Sequence, residues 1–240
     1  MKPVAIFRHA ATEGPGYFAT YLSVHDIPWQ VIKIDEGAMV PKNPSEFSGM
    51  AFMGGPMSVN GDLPWIPLSL GLIAAAADAG VPVIGHCLGG QLIAKALGGT
   101  VTRNTVREIG WGRVDVVGHP LAGSWFGGLP VAFDAFHWHG ETFNIPPGAV
   151  RLLSSPYCEN QAFALGPHLA MQCHVEMTRD LISRWCQDWG KEVAPLAAKL
   201  ASVQTPEEMM DGIDRKVGAL NAVADRIYDQ WVKSLRVIGD

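Results

Sequence analysis

The stretch Val81-Pro-Val-Ile-Gly-His-Cys-Leu-Gly-Gly-Gln91 constrains this chain more than any other. Residues 81–84 are a short β-branched run that reads as a buried strand. Residues 88–97 read as a helix, with Leu92, Ile93, Ala96 and Leu97 on one side and Gly98-Gly99 as its stop. Between them Gly85-His-Cys-Leu-Gly89 has the form Gly-x-nucleophile-x-Gly, an elbow from strand into helix. The central residue of such an elbow is held in a strained backbone conformation. The flanking glycines are needed because side chains there would collide with neighbouring backbone. Cys87 would then carry its sulfur at the amino end of a helix, where free N–H groups and the helix dipole favour an anion. The same five residues also fit a tight glycine turn with an inert, half-buried cysteine.

Composition limits what surrounds the elbow. A chain of 240 residues, 48% hydrophobic and only 17% charged, can bury a full α/β core as one domain with an appendage. The formal net charge of -5, without a basic cluster, argues against nucleic acid and against an anionic membrane surface. The four cysteines, Cys87, Cys158, Cys173 and Cys186, lie far apart with no CxxC spacing, so free thiols in a reducing, cytoplasmic setting are expected. The first apolar run is too short for a secretory signal, and no apolar stretch reaches membrane-spanning length.

In chain order, residues 4–7, 29–34 and 49–53 read as strands, and residues 17–24 and 67–79 as helices, the latter closed by Gly80. Alternating strands and helices imply βαβ units and a parallel sheet covered on both faces. The pattern changes after Gly99. Residues 113–117, 131–136, 162–165 and 168–173 are strand candidates separated by Gly- and Pro-rich turns, so a small antiparallel segment is expected there. Residues 178–189 return to helix, with Leu181, Ile182, Trp185 and Trp189 at helical spacing.

Two further elements carry chemistry. Gln172-Cys-His-Val-Glu176 follows the last strand candidate, where His174 could act as base and acid for Cys87 and Glu176 could hold its imidazole in the useful tautomer. Gly54-Gly55-Pro56 closes the third strand. A bare N–H of Gly55 could join the N–H of Leu88 as a two-donor oxyanion hole. In open α/β sheets sites gather at the carboxyl ends of strands, and all three elements sit at such ends. His137-Trp-His139 with Cys158, Cys173 and His174 raises a zinc reading, since His-x-His on a strand puts both rings on one face. These side chains would compete with the triad for one pocket, so neither metal nor cofactor is expected. A Cys-type α/β-hydrolase is disfavoured because its acid precedes its histidine in the chain.

Taken together, Gly54-Gly-Pro-Met-Ser58, Gly85-His-Cys-Leu-Gly-Gly-Gln91 and Gln172-Cys-His-Val-Glu176 resemble the class I glutamine amidotransferase family, in particular a stand-alone domain similar to the glutaminase half of GMP synthase. The resemblance covers roughly residues 2–189. It implies a flavodoxin-like amidotransferase fold, a Cys87-His174-Glu176 triad, and attack on the side-chain amide of glutamine through a γ-glutamyl thioester. By the same carry-over Gly54, Gln91, His139, Gly140 and Glu141 border the substrate, the last three in Phe136-His-Trp-His-Gly-Glu141. The chain departs from the family at Val175, where proline is usual, at Cys173, where an aromatic is common, and at Gly90, where a larger residue is common. On this reading the departures alter the pocket wall and leave room for a larger leaving group, which keeps a free-standing γ-glutamyl peptidase acting on glutathione-like compounds as an alternative. A non-catalytic binding module is the second alternative.

The domain is expected over residues 1–190 and a helical extension packed on it over 191–240. Thr205-Pro-Glu-Glu208 reads as a capping box with Pro at the first helical position. Met210, Ile213, Val217, Leu220, Ala224, Ile227 and Trp231 follow as an amphipathic stripe. It can pack on its own domain, serve a homodimer, or dock a synthase partner that consumes ammonia.

Overall fold

The computed structural model describes residues 1–235. In chain order the elements are β1 (Val4–Arg8), α1 (Gly16–Val24), β2 (Trp29–Lys33), β3 (Gly49–Phe52), α2 (Trp65–Ala79), β4 (Val83–His86) and α3 (Leu88–Ala96). There follow β5 (Val101–Val116), α4 (Pro120–Phe126), β6 (Ala132–Phe143), β7 (Val150–Ser154), β8 (Ala162–Leu165), β9 (His168–Met171), α5 (Arg179–Ala197), α6 (Pro206–Met210) and α7 (Ile213–Val232). One sheet holds all nine strands in the order β2-β1-β3-β4-β9-β8-β7-β5-β6. It is parallel from β2 through β9 and antiparallel from β9 through β6.

The parallel half follows from residue type. β3, β4 and β9 are buried along their whole length, as strands covered on both faces must be. Side chains alternate between two cores: Val4, Ile6 and Ala51 point to the one built with Phe18, Trp185 and Tyr228, whereas Ala5, Phe7, Met50 and Phe52 point to the one built with Leu72, Ile73, Leu92 and Ile93. α2 stops at Gly80, whose left-handed φ of 67° lets the Val81 N–H return to the Ala76 carbonyl. That closure uses Val81, and Pro82 has no N–H to give, so β4 begins two residues later than residues 81–84 suggest.

The antiparallel half is larger than expected. β5 and β6 run well beyond residues 113–117 and 131–136, pairing from Val101↔Phe143 to Asp115↔Ala132 with a register shift between Arg103 and Glu108. The polar stretch before Glu108 hid β5, because one of its faces is exposed. β7 and α4 were not anticipated. α4 starts at His119, whose ring accepts from the Leu121 N–H, and it buries Ala122, Trp125 and Phe126.

α5 runs through Gly190 without a break there, and Trp185 and Trp231 share one hydrophobic core. The capping box at Thr205 and Glu208 is formed, and the stripe is interrupted at Gly212, which has φ 60°. α7 lies against α1: the Tyr17 hydroxyl donates to Asp225 and the Tyr21 hydroxyl to Asp229, both at 2.7 Å, and Phe18 meets Trp231 edge to face. Among the described residues no helix is long and apolar enough to cross a membrane.

Candidate active site

Cys87 sits between β4 and α3 with φ 52° and ψ -109°, a backbone conformation side chains rarely tolerate. Packing holds it there. The Cys87 N–H donates to the Met171 carbonyl of β9 at 2.8 Å, and a Cβ on Gly85 or Gly89 would strike the Gly89 main chain or the Phe52 carbonyl. The elbow turns tightly because both flanking residues are glycines.

β9 lies beside β4, so its carboxyl end delivers the next segment to the sulfur. His174 is fixed by two main-chain bonds to Phe136 of β6, at 2.8 and 3.3 Å, and by the edge of the Trp185 ring, 5.1 Å away. Its Nδ1–H donates to Glu176 Oε1 at 2.6 Å. Burial opposes charge on His174, yet the Glu176 carboxylate and the Cys87 sulfur outweigh it and hold its pKa well above 6.5. Burial likewise works against ionised Glu176, but His86 and His174 bring its pKa down to about 2. Imidazole and carboxylate are thus bonded beside the elbow cysteine, while the buried Nε2 of His174 makes no hydrogen bond among the described residues and is left for the thiol. Cys87 also contacts the Trp138 carbonyl at 3.8 Å and the Gln172 side-chain amide at 3.6 Å.

A cavity of about 340 Å³ opens over the sulfur. Gly55, Leu88, Gln91, His139, Gly140 and Glu141 line it, together with Glu13 and with Trp189 and Glu192 of α5. The Leu88 N–H is an orphan donor at the start of α3, and the Gly55 N–H makes no hydrogen bond among the described residues. His9 steadies that turn, its Nδ1–H donating to the Met53 carbonyl at 3.0 Å. Gln91 donates to Gln172 Oε1 at 3.1 Å, and Glu141 accepts from the Ser58 hydroxyl at 3.0 Å. Gly54 is not a lining residue, because the space a side chain would take there is filled by Glu13. Gly90 and Cys173 also lie off the cavity. A Cβ on Gly90 would meet the Met171 carbonyl, and Cys173 is in the core, which corrects the expectation that these positions widen the pocket.

Glu13, Gln172, Trp138 and the α5 residues went unassigned in the sequence. Gln172 stood inside a recognised motif, whereas Glu13, in a Gly- and Pro-bounded loop, carried no local signal.

Glu108, His137 and His139 offer ligand atoms within 4.8 Å of one another and could hold a cation. Cys158, Cys173 and His174 are not in this group. Glu108 already accepts from Ser155 and Gln161, each at 2.7 Å, and pairs with His139 Nε2 at 3.0 Å. His139 Nδ1–H donates to the Glu141 carbonyl at 3.0 Å, so the group reads as a strut behind the cavity wall.

Comparison with known proteins gives the family and the fold. The family model for glutamine amidotransferase class-I matches residues 18–182. The glutamine amidotransferase-like protein YfeJ of Salmonella typhimurium is 30% identical over 73% of this chain and 75% of its own length. GMP synthase [glutamine-hydrolyzing] of Thermomicrobium roseum is 33% identical over 64% of this chain, and the match spans only 26% of that longer protein. Among solved structures, a glutamine amido transferase from Methylobacillus flagellatus superposes with a TM-score of 0.96 and 43% identity, covering 100% of this chain and 98% of that one. A glutamine amidotransferase from Thermotoga maritima gives 0.86 at 25% identity, covering 97% and 98%.

Proposed function

The chain belongs to the class-I glutamine amidotransferase family, and from that premise we propose that it hydrolyses the side-chain amide of glutamine with Cys87 as nucleophile. His174 takes the thiol proton, and the sulfur attacks the γ-carbonyl. The oxyanion is received by the N–H groups of Gly55 and Leu88. His174 then gives its proton to the departing nitrogen, which leaves as ammonia. Water attacks the γ-glutamyl thioester, releases glutamate and restores the thiol. Glu176 holds the imidazole in the tautomer that presents Nε2 to sulfur, and it offsets the charge formed on the ring. Gln91 and the main chain of His139, Gly140 and Glu141 hold the amino-acid end of the substrate.

The observation that carries this reading is the 2.6 Å bond from His174 to Glu176, beside a cysteine held at positive φ. The strain and the buried carboxylate are both costly, which favours a catalytic role over the alternatives of a binding module or plain packing. A synthase partner that consumes the ammonia fits the resemblance to GMP synthase, and a free-standing γ-glutamyl peptidase is the alternative. The positions of Gly90 and Cys173 outside the cavity take away the structural support for a larger leaving group.

The test is a hydrolysis screen of purified chain on glutamine beside γ-glutamyl peptides, measuring glutamate and ammonia. Glutamate and ammonia from glutamine, lost in Cys87→Ser, is the expected result. Faster cleavage of the peptides shifts the assignment to peptidase, and cleavage of neither by reduced, folded protein excludes both.

A further inference from the structure

Glu13 takes no part in the reaction outlined above, yet its place in the protein is closely specified. Its loop follows β1 and is tied down at three points. The Glu13 N–H donates to Ala10 O at 3.0 Å, Trp185 Nε1 to Thr12 O at 2.9 Å, and Tyr17 N–H to Glu176 O at 2.8 Å. The residue is only 7% exposed and lines the cavity with Cys87. Among the described residues its carboxyl makes no hydrogen bond, and neither oxygen is one of the fully enclosed unpaired polar atoms, so the group opens on the cavity. A Cβ placed on Gly54 would lie 2.5 Å from Glu13 Oε2 and 3.3 Å from His174 Cε1, so both side chains border that glycine. Burial pushes the Glu13 pKa up to about 7, with His174 opposing and Glu176 adding to the rise. A carboxyl that is mostly buried and has no protein partner keeps its hydrogen-bonding capacity for whatever occupies the cavity. The partner it lacks is therefore to be sought in the cavity.

Its position says which part of a substrate that is. The oxyanion faces Gly55 and Leu88, and the amino-acid end faces Gln91 and His139 to Glu141. The edge of His174, where the leaving group collects its proton, remains for Glu13. We propose that Glu13 Oε2 accepts a hydrogen bond from the leaving nitrogen of the scissile amide, an assignment that rests on the acyl-transfer reading of the site. As the tetrahedral intermediate collapses, the carbon–nitrogen bond breaks and its electron pair stays on nitrogen. The nitrogen receives the proton that His174 took from the thiol, and the carbon–sulfur bond is kept. At that moment the nitrogen gathers positive charge and the sulfur does not. When Glu13 is ionised, its carboxylate beside the nitrogen favours departure over return of the sulfur. Glu13 is in this sense a catalytic residue for amides, and an ester of the same acyl group has nothing for it to hold.

The experiment compares full-length wild type with Glu13→Ala and Glu13→Gln on glutamine and on the γ-methyl ester of glutamate. Both compounds pass through the same thioester and differ only in the leaving atom. Glu13→Ala is expected to lower kcat/KM for glutamine by about 10- to 100-fold, and for the ester by about tenfold less. Glu13→Gln should fall between, since its amide oxygen still accepts a hydrogen bond but carries no charge. Equal losses on the two substrates overturn the proposal and make Glu13 a structural residue. If Glu13→Ala does not fold, the amide-to-ester ratio of Glu13→Gln decides in the same way. Wild type that is folded and reduced but cleaves neither compound overturns the underlying acyl-transfer reading and this assignment with it.

Discussion

The hydroxyl of Tyr228 lies 3.1 Å from Nε2 of His86, which joins the last helix of the chain to the residue before the candidate nucleophile. The same His86 nitrogen is 3.8 Å from Glu176 Oε2, an atom with no hydrogen bond among the described residues. Burial lowers the His86 pKa, against the pull of Glu176. α7 therefore reaches the Glu176 carboxylate through two buried side chains. Tyr228→Phe keeps the ring contacts with Phe18 and Tyr21 but leaves His86 without its partner. Thermal denaturation should show a loss of about 1–2 kcal/mol. Turnover should fall by less than about tenfold, as expected for a residue acting through another. An unchanged kcat with the stability loss present would confine Tyr228 to packing.

Cys87 should be the one cysteine that an electrophilic glutamine analogue modifies. Burial pushes the Cys158 thiol up to about 11, and Cys173 and Cys186 are raised for the same reason. Only Cys87 of the four opens on the cavity. Peptide mass mapping after labelling is the measurement. Full-yield labelling of Cys87→Ser would show that another thiol reacts.

Loss of His174 should be far more damaging than loss of charge at Glu176. His174→Asn removes the proton carrier and is expected to lower turnover by about 10³-fold or more, whereas Glu176→Gln weakens only orientation and charge balance. Stability supplies a second readout with a defined sign. Folded Glu176 has its pKa depressed from 4.5 to about 2, so its contribution is present above about pH 4.5 and lost as pH falls through about 2. His174 has a raised pKa, so its contribution is complete below 6.5 and is lost as pH rises through the higher folded value. The gap in melting temperature between wild type and Glu176→Gln should therefore be wider at pH 6 than at pH 3. A gap that does not narrow on acidification would mean that Glu176 is not ionised in the folded protein.

Glu13 carries the opposite sign. Its pKa rises from 4.5 to about 7 on folding, so the folded state holds a proton that the unfolded state has released between those values. Stability is thereby lost as pH rises from about 4.5 to 7, by up to about 3 kcal/mol. Glu13→Gln removes that loss. The variant should gain on wild type between pH 5 and pH 8 in chemical denaturation, even as it loses activity. A difference that stays flat with pH would show that Glu13 is not buried as a carboxylic acid.

What the sequence determined by itself is local and covalently short-ranged. The elbow at Cys87 was legible because only glycines fit at 85 and 89 around a residue at φ 52°. Gly80 closing α2 and the capping box at Thr205 were legible for the same reason, since each satisfies donors within a few residues. Buried strands declared themselves as apolar runs. Tertiary structure decided what distance along the chain concealed. Insertion of β9 beside β4 delivers His174 and Glu176 to Cys87, and no short-range preference encodes that pairing. Partnership between β5 and β6 made a strand of polar residues whose own pattern is weak. Packing against Met171 turned Gly90 from a pocket residue into a helix–strand contact, and folding of the β1 loop over Gly54 put Glu13 beside His174. A side chain's rotamer and cap depend on its neighbours in sequence. Its solvent, its charge and its partner depend on whichever distant segments are packed around it.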